Sequence, residues 1–215
     1  MAKGFDNTAG KVIVDRMITV IHENRAYLSE IDGSIGDGDH GINMDKGFTL
    51  VEKEIADQEL SMSDALKTLG RTLVMEIGGS MGPLYGSMFR KMARASKDDE
   101  QVTTETLKKM MDAAVEAIRE LGEAKPGDKT LVDTLDPAAK AVTAAAERDA
   151  PLDEAVDEMI SAAETGWKST EDMVAKIGRS ARLGERSRGT LDAGATSCYL
   201  LLRSMGETMK ELASA

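Results

Sequence analysis

Leu107-Lys108-Lys109-Met110-Met111-Asp112-Ala113-Ala114-Val115-Glu116-Ala117-Ile118-Arg119-Glu120-Leu121 decides the fold class of this chain. Leu107, Met110, Met111, Ala114, Ile118 and Leu121 recur at the three-, four- and seven-residue spacing of one helical face. Gly122 follows, where a glycine is expected to end the helix. The same period returns in Val14, Met17, Ile18, Ile21 and Leu28, in Leu152, Ala155, Val156, Met159, Ile160, Ala163 and Trp167, and in Ala195, Cys198, Tyr199, Leu202 and Met205. No hairpin signal joins two alternating runs, and β-branched residues are scattered. Helices are predicted near 10–29, 43–57, 63–77, 83–96, 104–121, 137–149, 152–176 and 194–212, with Asp136-Pro137 as the cap and first residue of the sixth. The expectation is an all-α protein with one domain spanning 1–215, its core about 10–213.

Bulk properties narrow the function. A chain of 215 residues with 41% hydrophobic content can bury one substantial core. Aromatic content of 3% with abundant Ala and Met suits closely packed helices, and the methionines on apolar stripes read as core filler. A net charge of −11 argues against a nucleic-acid partner and means that a phosphate ligand needs local cations, metal or arginine. No apolar run is long enough for a membrane span, and Met1 to Asp6 lacks the apolar stretch of a secretory signal. The lone Cys198 cannot form an internal disulfide, so a cytoplasmic setting is expected. No linker or internal repeat divides the chain, since Lys97-Asp98-Asp99-Glu100-Gln101 is only a short charged loop.

Four irregular segments interrupt the helices. In Ile31-Asp32-Gly33-Ser34-Ile35-Gly36-Asp37-Gly38-Asp39-His40-Gly41, three carboxylates lie among four glycines. Gathering them on one point is unfavourable unless a cation sits between them, and Mg²⁺ with a phosphorylated ligand matches hard oxygen donors. An ordinary polar turn is the plainer alternative. An EF-hand is excluded, because the twelfth position from Asp37 is Phe48, where a bidentate Glu is required. A helix beginning near Ile42, flanked by His40 and Asn43, would offer free N–H groups to an anion. His22 lies on a helix and reads as structural.

Gly78-Gly79-Ser80-Met81-Gly82-Pro83-Leu84-Tyr85-Gly86 reads equally as a phosphate-approaching loop or as a tight helix–helix turn. Gly122-Glu123-Ala124-Lys125-Pro126-Gly127-Asp128-Lys129-Thr130 nearly matches a P-loop, but Asp128 intrudes and a helix precedes it, so that motif is rejected. Lys129 is expected to be solvated. Finally, residues 178–197 hold four arginines, Arg179, Arg182, Arg186 and Arg188, of which two are expected to be solvated. Asp192-Ala193-Gly194 then opens the last helix.

At these residues the chain resembles the nucleotide-binding L subunit of dihydroxyacetone kinases. The resemblance rests on Gly36-Asp37-Gly38-Asp39-His40-Gly41-Ile42-Asn43-Met44, on residues 78–86, and on Pro126-Gly127-Asp128-Lys129-Thr130. Leu183-Gly184-Glu185-Arg186-Ser187 and Asp192-Ala193-Gly194-Ala195-Thr196-Ser197 complete it, from about residue 10 to the end. It implies an eight-helix antiparallel barrel carrying ADP or ATP at one end, with Asp32, Asp37 and Asp39 on Mg²⁺, expected as two ions. It implies His40, Gly41, Ile42 and Asn43 lining the nucleotide site, and Gly79, Ser80 and Gly82 at the phosphates. Gly122 and Leu131 would flank the adenine, and Arg179, Asp192 and Gly194 would close the site. Family members pass the γ-phosphoryl of ATP to a triose held on the histidine of a separate K subunit.

Asp39-His40-Gly41-Ile42-Asn43-Met44 is similar to the phosphoenolpyruvate-linked branch of the phosphotransferase system, in which bound ADP is rephosphorylated by a phosphohistidine M subunit. That branch often has Ala at the position of Gly38 and Pro at that of Ala193. The expected function is therefore a phosphoryl-transfer kinase subunit, with a dimer of the chain as one expected state. Alternatives are an ATP-exchanging subunit for a related ketose or tetrose, a non-catalytic adenine-nucleotide sensor, and the nucleotide domain of a kinase for another acceptor such as a fatty acid.

Overall fold

The computed structural model describes residues 4–215. Among them run eight α-helices: α1 (Lys11–Ile35), α2 (His40–Ile55), α3 (Met62–Glu76), α4 (Met81–Ser96), α5 (Thr104–Leu121), α6 (Val132–Glu147), α7 (Leu152–Ser169) and α8 (Ala193–Ser214). Several starts have an evident cause. Ser61 and Thr103 accept the N–H of Asp64 and Thr106 to cap α3 and α5, and Asp192 accepts the N–H of Ala195 to cap α8. One two-residue ladder pairs β1 (Phe5–Asp6) with β2 (Gln101–Val102), an element not expected from the sequence. Asn7 holds that end by donating to the Ser96 and Asp99 carbonyls, each at 2.9 Å.

Each helix packs on its neighbours in the chain, and α8 returns to α1, so the packing order closes on itself. The apolar stripes read from the sequence turn inward. Met17, Ile21, Met110, Met111, Ala114 and Met159 are all fully buried in one contiguous core shared by the eight helices. Each such side chain contributes about 1.5–3 kcal/mol of transfer free energy, except Ala114, which contributes less. The α1–α2, α3–α4, α5–α6 and α7–α8 junctions all line one cavity. The fold thus brings four irregular segments, far apart in sequence, to one end.

Three boundaries depart furthest from the expectations. First, α1 continues to Ile35, because Ile31 and Ile35 extend its buried stripe; Asp32 and Gly33 are helical and not part of a loop. Second, α6 begins at Val132, so Asp136 and Pro137 lie inside it. No side chain caps α6 at its N-cap, Leu131; Thr130 Oγ1 accepts the Val132 N–H, Asp133 in the first turn accepts from the backbone N–H groups of Gly127 and Thr130, and Asp136 pairs with Arg119 and Lys140. Third, α7 ends at Ser169 and a 3₁₀ turn, Thr170–Asp172, follows. Gly122 does end α5, but with an extended backbone (φ −149°, ψ 165°) and not the left-handed one.

Gly41 seats α2 on α1. A β-carbon there would lie 2.0 Å from the Arg25 carbonyl oxygen and 2.8 Å from the Ser29 nitrogen, so the helices could not approach as they do. Gly41→Ala is expected to cost about 2 kcal/mol or more by forcing the pair apart, read as a lowered midpoint in urea.

Candidate functional site

The three aspartates converge although they come from different local structures. Asp32 projects from the last turn of α1, Gly36 to Asp39 form a tight connection, and α2 starts at His40, two residues before the expected point. Gly38 adopts φ +77°, a conformation that a residue with a β-carbon rarely takes, and this turns Asp37 and Asp39 back towards Asp32. One oxygen from each carboxylate lies within 4.8 Å of the others. Opposite corners of a Mg²⁺ octahedron are about 4.2 Å apart, so small side-chain adjustments bring this donor set onto a hard divalent ion. The chemistry of the set fits such an ion: three acceptor-only oxygens, partly open to solvent.

Around the carboxylates lie groups that favour anions. Arg179 reaches Asp37, and its guanidinium is 3.7 Å from Asp39. The His40 N–H donates to Asp32 Oδ2 at 3.2 Å. The first residues of α2, α4, α6 and α8 all border the cavity, so four helix N-termini bring a partial positive charge to it; the first N–H groups of α6 are already paired with Thr130 and Leu131, and Asp192 caps α8 at Ala195. The cavity encloses about 830 Å³. The α5–α6 junction brings apolar residues to the lining, Ile118, Leu121, Ala124 and Leu131, joined by Ile177, beside Glu123, Lys129 and Thr130. These apolar residues can bury a flat apolar group while the aspartates hold charge.

Most of the residues expected at the site line this cavity: Asp32, Asp37, Asp39, His40, Asn43, Gly79, Ser80, Gly122, Leu131, Arg179, Asp192 and Gly194. Gly41, Ile42 and Gly82 do not. Gly41 faces α1, as described; a β-carbon on Gly82 would lie 2.0 Å from the Ile77 carbonyl, so this glycine serves the α3–α4 turn; and Ile42 points outward, 49% exposed. All four arginines are exposed, not two; Arg179 pairs with Asp37, and Arg188 with Glu185 and the Asp172 carbonyl. His22 pairs with Asp45 at 2.7 Å on the outer face of α1 and α2.

Lys129 is corrected outright. It is 1% exposed, and its three Nζ protons are shared among the carbonyls of Thr170, Met173, Ser187 and Thr190, which lie at 2.7, 3.2, 2.7 and 2.5 Å. This cage ties the segment carrying Arg179 and Asp192 to the α5–α6 junction. Its sequence signal, a lysine after Pro-Gly-Asp, is that of any surface turn. Tyr85 and Ser197 were also missed as site residues, and they form a buried chain ending on His40.

Burial sets the protonation of two groups. It pushes the His40 imidazole down to about 4 against the pull of Asp32, so the ring is neutral at pH 7. It raises the Asp192 carboxyl to about 6, against the Ala195 N–H and Lys129. A carboxyl raised in the folded state contributes stability that is complete below its unfolded value near 4 and is lost as pH rises through 6. Asp192→Asn keeps a competent cap. It is expected to gain about 1–3 kcal/mol over the parent between pH 4 and pH 7, measured as the difference in urea stability at the two pH values.

Comparison with known proteins places these features in a wider group. A family model described as the DAK2 domain matches residues 34–207. The chain is 38% identical over 189 residues to "PEP-dependent dihydroxyacetone kinase 1, ADP-binding subunit DhaL" of Listeria innocua, covering 87% of this chain and 89% of that one. It is 37% identical to the corresponding Escherichia coli K12 subunit, covering 86% and 89%. Among solved structures, the dihydroxyacetone kinase from C. freundii in complex with AMP-PNP and Mg²⁺ superposes with a TM-score of 0.70 at 20% identity. That match covers 97% of this chain and 35% of the other, and it establishes likeness of fold.

Proposed function

Because the chain belongs to the DAK2-domain family and has DhaL-type subunits among its relatives, we propose that it is the ADP/ATP-binding, phosphoryl-transferring subunit of a dihydroxyacetone kinase. On this reading the whole chain acts as one nucleotide-binding domain in the cytoplasm. The γ-phosphoryl of ATP passes to the hydroxyl of dihydroxyacetone or a related short ketose held by a separate K subunit. The ADP left behind is rephosphorylated by a phosphohistidine M subunit.

One observation carries the reading: three clustered carboxylates share a cavity with four helix N-termini and with the apolar side chains of Ile118, Leu121 and Leu131. Carboxylates alone would repel a polyphosphate, and helix termini alone would need no carboxylates; both together suit a metal–nucleotide. Asp32, Asp37 and Asp39 would hold two Mg²⁺ ions, which when bound supply charge neutralisation to the phosphates. Arg179 and the N-termini of α2 and α4 attract the phosphate oxygens, and Leu131 with the extended Gly122 gives the adenine a flat apolar seat. No side chain here needs to attack the phosphorus, since transfer through a loose transition state depends on positioning and charge.

The acceptor must reach the open end of the cavity. Ile42, Val74, Met75, Leu121 and Ile177, exposed large apolar residues, sit at or beside the four junctions of that end, which supports docking of a partner subunit there. Among the described residues no helix is long and apolar enough to cross a membrane.

Mass spectrometry under native conditions tests the proposal. The protein as purified is expected to carry ADP and Mg²⁺ and to lose both on treatment with a chelator. A protein that neither retains nor takes up an adenine nucleotide in the presence of Mg²⁺ would refute it.

A further inference from the structure

We propose that Tyr85 and Ser197 are positioning residues that hold His40 in the tautomer with its proton on Nδ1, so that an N–H donor faces the cavity. The geometry is a three-member relay. The Tyr85 hydroxyl lies 2.7 Å from Ser197 Oγ and 3.1 Å from the Gly194 carbonyl. Ser197 Oγ lies 2.9 Å from His40 Nε2 and 3.2 Å from that same carbonyl. Tyr85 is 2% exposed and Ser197 fully buried, so no bulk water competes for their protons.

The contact lengths give the relay its proposed direction. The Gly194 carbonyl only accepts. Burial raises the Tyr85 phenol well above its usual range, so it always carries a proton to donate. Its shortest contact is Ser197, at an ordinary O–H···O length. With Ser197 accepting from Tyr85, the nearest acceptor for the serine proton is Nε2, closer than the carbonyl by 0.3 Å (2.9 against 3.2). An Nε2 that accepts must leave the ring proton on Nδ1.

The other ring nitrogen is open to a ligand. Among the described residues Nδ1 has no hydrogen-bond partner, and the only sealed side-chain polar atom without one is Ser29 Oγ. Nδ1 therefore touches solvent, and His40 lines the cavity. On the functional reading above, the oxygens of phosphates stand near it, and the charge of Asp32 acts on the ring through space. All of these accept and none donates, so a bare nitrogen lone pair there would repel them. The relay turns a neutral imidazole into an anion-facing donor without the cost of burying an imidazolium. This inference rests on the polyphosphate reading for its purpose, though not for its geometry.

Nitrogen-15 spectra of the histidine-labelled protein test it, because His22 and His40 are the only two rings in the chain. The spectra are recorded at pH 8 without nucleotide, where an ordinary imidazole is also neutral. His40 is expected to show a protonated Nδ1 and an unprotonated Nε2. Ser197→Ala is expected to move the ring to the Nε2–H form or a mixture and to weaken Mg–ADP binding about 10-fold or more. Ser197→Thr, which keeps the hydroxyl, is expected to restore the tautomer. Tyr85→Phe is expected to give an intermediate mixture, since the serine proton then chooses between Nε2 and the carbonyl. A wild-type ring protonated on Nε2, or a tautomer unchanged in Ser197→Ala, would overturn the relay. Failure of the wild type to bind Mg–ADP would instead overturn the functional reading, because the ring spectrum is taken without nucleotide.

Discussion

Asp37→Ala is expected to lower the affinity for Mg–ADP by about 100-fold or more and to abolish phosphoryl transfer, with helix content unchanged. The size of the loss follows from its place in the donor set. Removing a group that merely orients a metal ligand costs about 10–100-fold, and Asp37 is read here as a ligand itself. Two carboxylates would remain, too few to draw a divalent ion out of water at the same concentration. The fold should be indifferent. Asp37 lies between α1 and α2 and is exposed, and its ion-pair partner, Arg179, is 60% exposed. Such surface pairs contribute about 0–1 kcal/mol. Asp32 would be a poorer first choice, because it also accepts the His40 N–H and its loss would disturb the start of α2. Calorimetric titration with Mg–ADP and far-ultraviolet circular dichroism make the measurement. Equal affinity in parent and variant would remove the aspartate trio from the site.

Lys129→Met is expected to destabilise the protein by about 3 kcal/mol and to loosen the segment that carries Arg179. Methionine matches the length of the lysine stem and fills its volume, so the loss isolates the ammonium group. Four carbonyl oxygens from residues 170–190 would then face an apolar side chain. Each buried acceptor left unpaired costs about 1–3 kcal/mol, less than additively when the segment can open to water. The lysine also holds a left-handed backbone, φ +62°, which costs it some energy and indicates that the cage outweighs this strain.

Two readouts separate global from local effects. Trp167 is the only tryptophan; it stacks on Tyr199 at 4.5 Å and donates to Thr196, so its fluorescence follows unfolding of the α7–α8 pair. Trypsin reads the segment itself: cleavage at the exposed Arg182, Arg186 and Arg188 should accelerate in the variant under native conditions. A variant as stable and as resistant to trypsin as the parent would show that the cage does not hold this segment.

Helical class was legible from residue spacing alone, because burial on one face of a helix imprints a period of 3.6 on the chain wherever the core lies. The α5 stripe from Leu107 to Ile118 is buried as its spacing requires. The aspartate trio was legible for a different reason: so many like charges in one short glycine-rich stretch have few physical explanations. Tertiary structure alone decided the rest. It showed that α1 runs on through Gly33, because the buried Ile31 and Ile35 outweigh a weak glycine propensity. It turned Lys129 from solvent into a cage of carbonyls up to 61 residues away, and it linked His40 to Ser197 across 157 residues. Backbone carbonyls carry no residue identity, and a hydrogen bond between distant helices leaves no period in the sequence. Only the closing of the eight helices, with α8 against α1, brings such partners within reach.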